Sequence, residues 1–254
     1  GSDTYPVPEI LAASELFHNG EKVILVGKKE LLLAKAAELS IDLSSIEIVD
    51  APDVVEMTDK PVESFKKKPN NSMAIGLNLV KENKADAFVT AGNTGAAYFN
   101  AVMILRKIRG ISRPALAALI PVKNGRCVFM DTGANADCRT DFRLEFAVMG
   151  SALVSAVDGK AEPLVGLLNI GEEAIKGSDT IKRAGELLRA AGEGGHLRFH
   201  GNVEGNDIFK GTVDVVVCDG FVGNVLLKTS EGLASMLADF IRQEFTRGPF
   251  SKLA

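Results

Sequence analysis

Four segments of the sequence share one composition: Thr90-Ala-Gly-Asn-Thr-Gly95, Asp131-Thr-Gly-Ala-Asn-Ala-Asp137, Asn169-Ile-Gly-Glu172 and Asp219-Gly-Phe-Val-Gly-Asn224. Each follows an apolar run. Glycine lets a backbone approach a ligand closely, Asn and Thr supply uncharged donors, and a helix starting just after such a loop presents free N–H groups that suit an anion. A small oxyanion such as phosphate fits this chemistry, with Gly92, Asn93, Thr94, Asp131, Asn135, Asn169 and Asn224 as candidate binding residues. The alternative for any single loop is turn chemistry with side-chain caps. Lys176, in the acidic stretch Glu172-Glu-Ala-Ile-Lys-Gly177, is either a cation facing phosphate or a developing oxyanion, or a solvated side chain. Asp219 ends the apolar run Val215-Val-Val-Cys218, so it emerges at a sheet edge as either a functional carboxylate or a helix cap.

Motifs that are missing narrow the class. The sequence contains no GxGxxG, no GxxxxGK[ST], no GxSxG and no HExxH, so it offers no dinucleotide fingerprint, P-loop, nucleophile elbow or zincin site. Ser64-Phe-Lys-Lys67 matches SxxK without its companion motifs and reads as chance. His196 and His200 lie in a strand-like stretch, where residues four apart are separated by about 13 Å, too far to share a metal. No metal and no cofactor are expected, and a mechanism without a protein nucleophile is preferred. The basic clusters Lys66-Lys-Lys68 and Arg106, Lys107, Arg109, Arg113 are solvated charges or a steering surface for an acidic partner.

The elements that must position these loops alternate. Apolar runs at 22–27, 46–50, 86–91, 116–121, 127–131, 164–169 and 213–219 read as buried strands, and helical patterns occupy about 8–19, 28–39, 71–83, 94–107, 140–157, 179–192 and 222–246. That order predicts an α/β protein with a three-layer α/β/α arrangement and a mostly parallel, doubly wound sheet. In such sheets ligands bind outside the carboxyl ends of the strands, where the four loops would gather. Asn124-Gly125 between two runs predicts an antiparallel excursion through a hairpin. The segments 51–70 and 108–114 read as surface loops, and nothing separates independent domains, so residues 1–254 are expected to form one. The last helix carries an apolar stripe, including Leu233, Met236, Leu237, Phe240, Ile241 and Phe245, suited to core or subunit interface first and membrane surface second.

Bulk properties set the outer limits. With 46% hydrophobic residues, 25 glycines and no Trp, the chain is an ordinary globular sequence. A net charge of −4 provides no positive field for nucleic acid. Three cysteines at unpatterned spacings, no apolar run of membrane-spanning length and no signal-peptide pattern point to a reducing, cytoplasmic setting.

At the same loops the sequence resembles the PlsX phosphate acyltransferases. The matching stretches are Gly1-Ser-Asp-Thr-Tyr-Pro6, Asn71-Ser-Met73, Ala91-Gly-Asn-Thr-Gly-Ala96, Arg113-Pro-Ala-Leu116, Asp131-Thr-Gly-Ala-Asn135, Met149-Gly-Ser151, Gly166-Leu-Leu-Asn-Ile-Gly171 with Lys176-Gly177, Gly201-Asn-Val-Glu204, and Asp219-Gly-Phe-Val-Gly-Asn-Val225 with Leu227-Lys-Thr229. Ser2 stands where the family start motif has its second Gly, and the chain is expected to lack the family's first strand and C-terminal segment. The resemblance implies a fold like that of isocitrate and isopropylmalate dehydrogenases and of phosphate acetyltransferase, a homodimer, and loose association with the inner membrane surface. It also implies conversion of acyl-[acyl carrier protein] and inorganic phosphate into acyl phosphate for phospholipid synthesis. Phosphate held by Asn93, Thr94 and backbone N–H groups would attack the thioester directly. Lys176 would neutralise charge, and Asp219 would orient Lys176 or accept a proton. The rivals are a short-chain phosphate acetyl- or butyryltransferase using coenzyme A thioesters, and a non-catalytic scaffold binding acyl carrier protein or membrane.

Overall fold

A computed structural model describes residues 2, 4–123 and 125–246. Its internal contacts group into two compact units, residues 1–108 and 109–254.

The first unit contains α1 (Val7–His18), β1 (Ile24–Gly27), α2 (Lys29–Glu38), β2 (Glu47–Asp50), α3 (Pro61–Lys67), α4 (Ser72–Lys81) and α5 (Thr94–Ile104). Strands β1 and β2 pair in parallel, from Ile24 beside Glu47 to Gly27 beside Asp50. Their inward residue Leu25 packs with Ile10 and Ala13 of α1 and Leu32 and Ala36 of α2. Two expectations fail in this unit. Residues 86–91 form no strand, because no neighbouring strand among the described residues offers them a ladder. Phe88 alone is drawn inward, so close under α4 that a Cβ on Gly76 would meet its ring at 2.4 Å, while Val89 is 91% exposed. The supposed loop 51–70 contains helix α3, which begins with Pro61 in its first turn, where a missing N–H costs nothing, and tucks Ser64 inward with its hydroxyl donating to the Pro61 carbonyl.

The second unit is built on a five-stranded sheet. In chain order its elements are β3 (Ala117–Val122), β4 (Gly125–Met130), α6 (Thr140–Asp158), β5 (Leu164–Leu168), α7 (Asp179–Glu193), β6 (Arg198–Val203), α8 (Gly205–Lys210), β7 (Val215–Val217) and α9 (Gly220–Thr246). The strand order is β3-β4-β7-β5-β6, antiparallel between β3 and β4 and parallel elsewhere. The antiparallel excursion closes between Val122 and Gly125, with Gly125 at φ 125°, while Asn124 lies outside the described residues.

Alternation along the central strands divides the apolar residues between two cores. Val128, Met130, Val165, Leu167, Val215 and Val217 face α6 and α7, against Phe142, Phe146, Ala147, Val154, Ala184 and Leu188. Cys127, Phe129, Val216 and Cys218 face the other way, with Ile208 of α8 and Leu226 of α9. This unit is therefore three layers deep, with a mostly parallel sheet, as the sequence suggests. Helix α6 seats close because it carries Gly150, where a Cβ would lie 2.5 Å from Val215 Cγ1. Only the first turns of α9 join the core. Its apolar residues Leu233, Met236, Leu237, Phe240, Ile241 and Phe245 are all exposed. Among the described residues no helix is long and apolar enough to cross a membrane.

Candidate active site

In the second unit the carboxyl ends of β4, β7 and β5, adjacent in the sheet, lead into the loops at 131–137 and 169–177 and, through Asp219, into the first turn of α9. Six of the nine candidate residues lie on these segments, Asn224 among them within α9. Gly92, Asn93 and Thr94 belong to the first unit, at the start of α5.

Asp131 is fully buried and surrounded by donors. Its Oδ1 accepts from the backbone N–H groups of Leu116 at 2.9 Å, Ala134 at 3.1 Å and Gly133 at 3.2 Å, and its Oδ2 from Asn135 N at 2.7 Å and Asn135 Nδ2 at 2.9 Å. Five donors around one carboxylate make its desolvation tolerable and fold the loop into a fixed arch. Asn135 ties the arch further through Nδ2 to the Pro114 carbonyl at 2.9 Å. Helix α9 abuts this arch through glycines: a Cβ on Gly220 would lie 2.8 Å from the Asn135 carbonyl oxygen, and Gly220 N donates to that same oxygen at 2.8 Å. Asn224 adds Nδ2 to the Thr132 carbonyl at 3.2 Å.

Asp219 caps α9, its Oδ1 accepting from Val222 N at 2.9 Å. Its Oδ2 accepts from Arg143 Nη2, also at 2.9 Å. The cation paired with Asp219 is thus Arg143 rather than Lys176. Sequence reading passed over Arg143, although a signal was present: a charged residue on the stripe formed by Arg143, Phe146, Ala147, Gly150 and Val154, all of which α6 buries.

Lys176 stands on the β5 loop with nearly half of its side chain exposed, and its nearest carboxylate is Glu173, with Nζ and Oε1 4.0 Å apart. An exposed pair at that separation holds little, so the ammonium can turn toward a ligand. The loop beneath it is fixed. Asn169 Nδ2 donates to the Lys176 carbonyl at 3.1 Å, Asn202 Nδ2 to the Glu173 carbonyl at 3.0 Å, and Gly177 at φ 85° passes so near Asn169 that a Cβ would meet Oδ1 at 2.5 Å. Asn169 therefore shapes the path of the backbone at Lys176.

In the first unit, Asn93 spends its whole side chain locally. Oδ1 accepts from Ala96 N at 2.9 Å, capping α5, and Nδ2 donates to the carbonyls of Met57 and Asp59 at 3.0 Å and Glu56 at 3.2 Å. The gripped loop is closed by Asp59, whose carboxyl is held below the usual carboxylate range first by the Lys68 ammonium and then by the Glu56 N–H. Gly92 N donates to Thr90 Oγ1 at 3.2 Å, and Thr94, exposed, opens the helix. The capping alternative for Asn93 and Asp219 is realised in the geometry.

The thiols near these loops are poor nucleophiles. Cys127, Cys138 and Cys218 are buried and unpaired with one another. Burial, helped by Asp214, pushes the Cys127 thiol up to about 12. Burial likewise raises Cys138 and, with Asp219 and Asp131 nearby, Cys218.

The family model described as "Fatty acid synthesis protein" matches residues 1–254. The chain belongs to that family. A relative named phosphate acyltransferase in Paraburkholderia phytofirmans is 51% identical over 256 aligned positions, which cover 100% of this chain and 68% of that protein. Another, in Delftia acidovorans, is 49% identical and covers 100% of this chain and 72% of its own length. The chain thus accounts for roughly two thirds of the length of these family members. Among solved structures, EutD phosphotransacetylase from Staphylococcus aureus aligns with TM-score 0.65 at 21% identity, over 89% of this chain and 78% of its own. A candidate 4-hydroxythreonine-4-phosphate dehydrogenase from Salmonella typhimurium aligns with TM-score 0.55 at 14% identity, over 87% and 80%. These two share its fold, that of phosphotransacylases and of a dehydrogenase group, as the sequence leads one to expect.

Proposed function

We propose that the protein transfers an acyl group from acyl carrier protein to inorganic phosphate, releasing acyl phosphate for phospholipid synthesis. The observation that carries this reading is the identity of about half of all residues, across the entire chain, with proteins named phosphate acyltransferase. The arrangement of the loops is in keeping with it. Phosphate is already an anionic nucleophile near neutral pH, so positioning and charge stabilisation are what the enzyme must supply. On the second unit the half-exposed Lys176 ammonium is the group placed to neutralise phosphate or a tetrahedral oxyanion, on a loop set by Asn169. Asp131, Asn135 and Asn224 shape the neighbouring edge. Asp219, already capping α9, orients that edge and stands available as a proton acceptor. On the first unit, Gly92 and Thr94 at the start of α5, with Asn93 holding the turn, form an anion-binding candidate. Working as a homodimer with peripheral contact to the inner membrane surface fits the exposed apolar stripe of α9.

The test is incubation of a chain of the relatives' full length with long-chain acyl-[acyl carrier protein] and phosphate, followed by detection of acyl phosphate. Coenzyme A thioesters in place of the carrier protein separate the short-chain reading, and carrier binding with no acyl phosphate formed would favour a scaffold. Lys176→Ala should keep its fold and lose roughly 100- to 1000-fold in turnover, the scale of removing one transition-state charge partner. Near-normal turnover by that variant would remove Lys176 from the mechanism.

A further inference from the structure

We propose that Arg143 is a positioning residue for the transfer: from beneath the sheet edge it fixes the Asp219 carboxylate, and through it the first turn of α9. The inference rests on the reading that this edge carries the reaction. Among the described residues Arg143 is the only buried lysine or arginine, with 5% of its side chain exposed. Nη2 donates to Asp219 Oδ2 and Nη1 to the Cys138 carbonyl, both at 2.9 Å, while its buried Nε has no hydrogen-bond partner among the described residues. Taking a guanidinium out of water is costly, and a well-packed apolar side chain would serve α6 at least as well. Its fork instead joins two segments, the end of the β4 arch and the carboxylate that starts α9. Since Asp219 Oδ1 receives the Val222 N–H, placing one carboxylate places the helix.

The thiols of Cys138 and Cys218 each lie within electrostatic reach of Asp219, Asp131 and Arg143. Asp131 is engaged by its own five donors and both thiols are kept neutral by burial. Among the described residues Arg143 is accordingly the one cation paired with that carboxylate.

The experiment compares kcat and KM for phosphate in Arg143→Met and Arg143→Lys with those of the parent, alongside a melting double-mutant cycle of Arg143→Met with Asp219→Asn. The expected result is a kcat roughly 100-fold lower in Arg143→Met with KM for phosphate near the parent's, the scale of a misplaced reacting group, with partial rescue by lysine, and single-variant melting losses that do not add in the double variant. Additive losses overturn the proposal whether or not the protein is active, and so does an active parent whose Arg143→Met variant keeps its kcat. Should the methionine variant not fold, Arg143→Lys decides: a lowered kcat in the folded variant supports positioning, and an unchanged kcat overturns it. Absence of acyl phosphate from the parent itself would strike the proposed function, leaving the melting cycle to judge the pairing.

Discussion

A methyl group on Gly223 would fall 1.8 Å from the carbonyl oxygen of Asp131, a distance no pair of unbonded atoms tolerates. Gly223→Ala is therefore expected to displace the start of α9 and destabilise the protein by about 1–3 kcal/mol, the usual range for overpacking. Gly232→Ala, later in the same helix and with nothing within 4 Å of the added carbon, is expected to stabilise by about 0.5–1 kcal/mol. Urea denaturation of the two single variants measures both; equal midpoints would contradict the close seating of α9.

Asn93 should reverse an ordinary rule of helix capping. At a typical N-cap, Asp exceeds Ala by about 1 kcal/mol. Here Asn93→Asp keeps the acceptor for Ala96 N but turns the group facing the Glu56, Met57 and Asp59 carbonyls from donor to acceptor. The aspartate variant is expected to melt below Asn93→Ala, and a calorimetric comparison of the two decides it.

These positions also mark what a sequence can and cannot display. Edge loops were legible because glycine, asparagine and aspartate following an apolar run is a local signal, and the unbroken apolar run Val215-Val-Val-Cys218 is local too. The apolar run around Phe88 misled because a strand is defined by its neighbour, and residues 86–91 have none among those described. Helix α3 was hidden by its charges and betrayed only by Pro61. Arg143 and Asp219 stand 76 positions apart, so their pairing exists only once α6 lies on the sheet. The grip of Asn93 on a loop more than thirty residues earlier was invisible for the same reason.

The cysteines give a chemical prediction. With the thiols of Cys127, Cys138 and Cys218 buried and their ionisation pushed upward, native protein at about pH 8 should react negligibly with a disulfide reagent such as Ellman's, and denatured protein should titrate all three. Iodoacetamide should likewise leave turnover unchanged. Rapid loss of activity on alkylation would reopen a covalent mechanism.

Asp207 supplies the pH dependence. The Lys210 ammonium, and then the Glu204 N–H it receives in the capping box of α8, hold its carboxyl below the ordinary value of 3.8. A carboxyl depressed on folding binds its proton more readily in the unfolded chain, so its contribution is whole above 3.8 and fades as pH falls through the lower folded value. Asp207→Ala should cost about 1 kcal/mol at neutral pH, as for lost caps generally. Melting curves of parent and variant should converge in acid below the ordinary carboxylate range. A gap that persists there would mean that packing, not charge, is what Asp207 supplies.

The two-faced sheet of the second unit has a consequence for how the sequence can change. Val215 and Val216 are chain neighbours, yet one answers to α6 and the other to the opposite core. Gly150 and Val215, distant along the chain, occupy one shared volume in which a methyl group on the glycine would lie 2.5 Å from the valine. Divergence in this protein should accordingly proceed by paired exchange, with any enlargement at 150 waiting on a reduction at 215, while position 216 drifts independently of its neighbour.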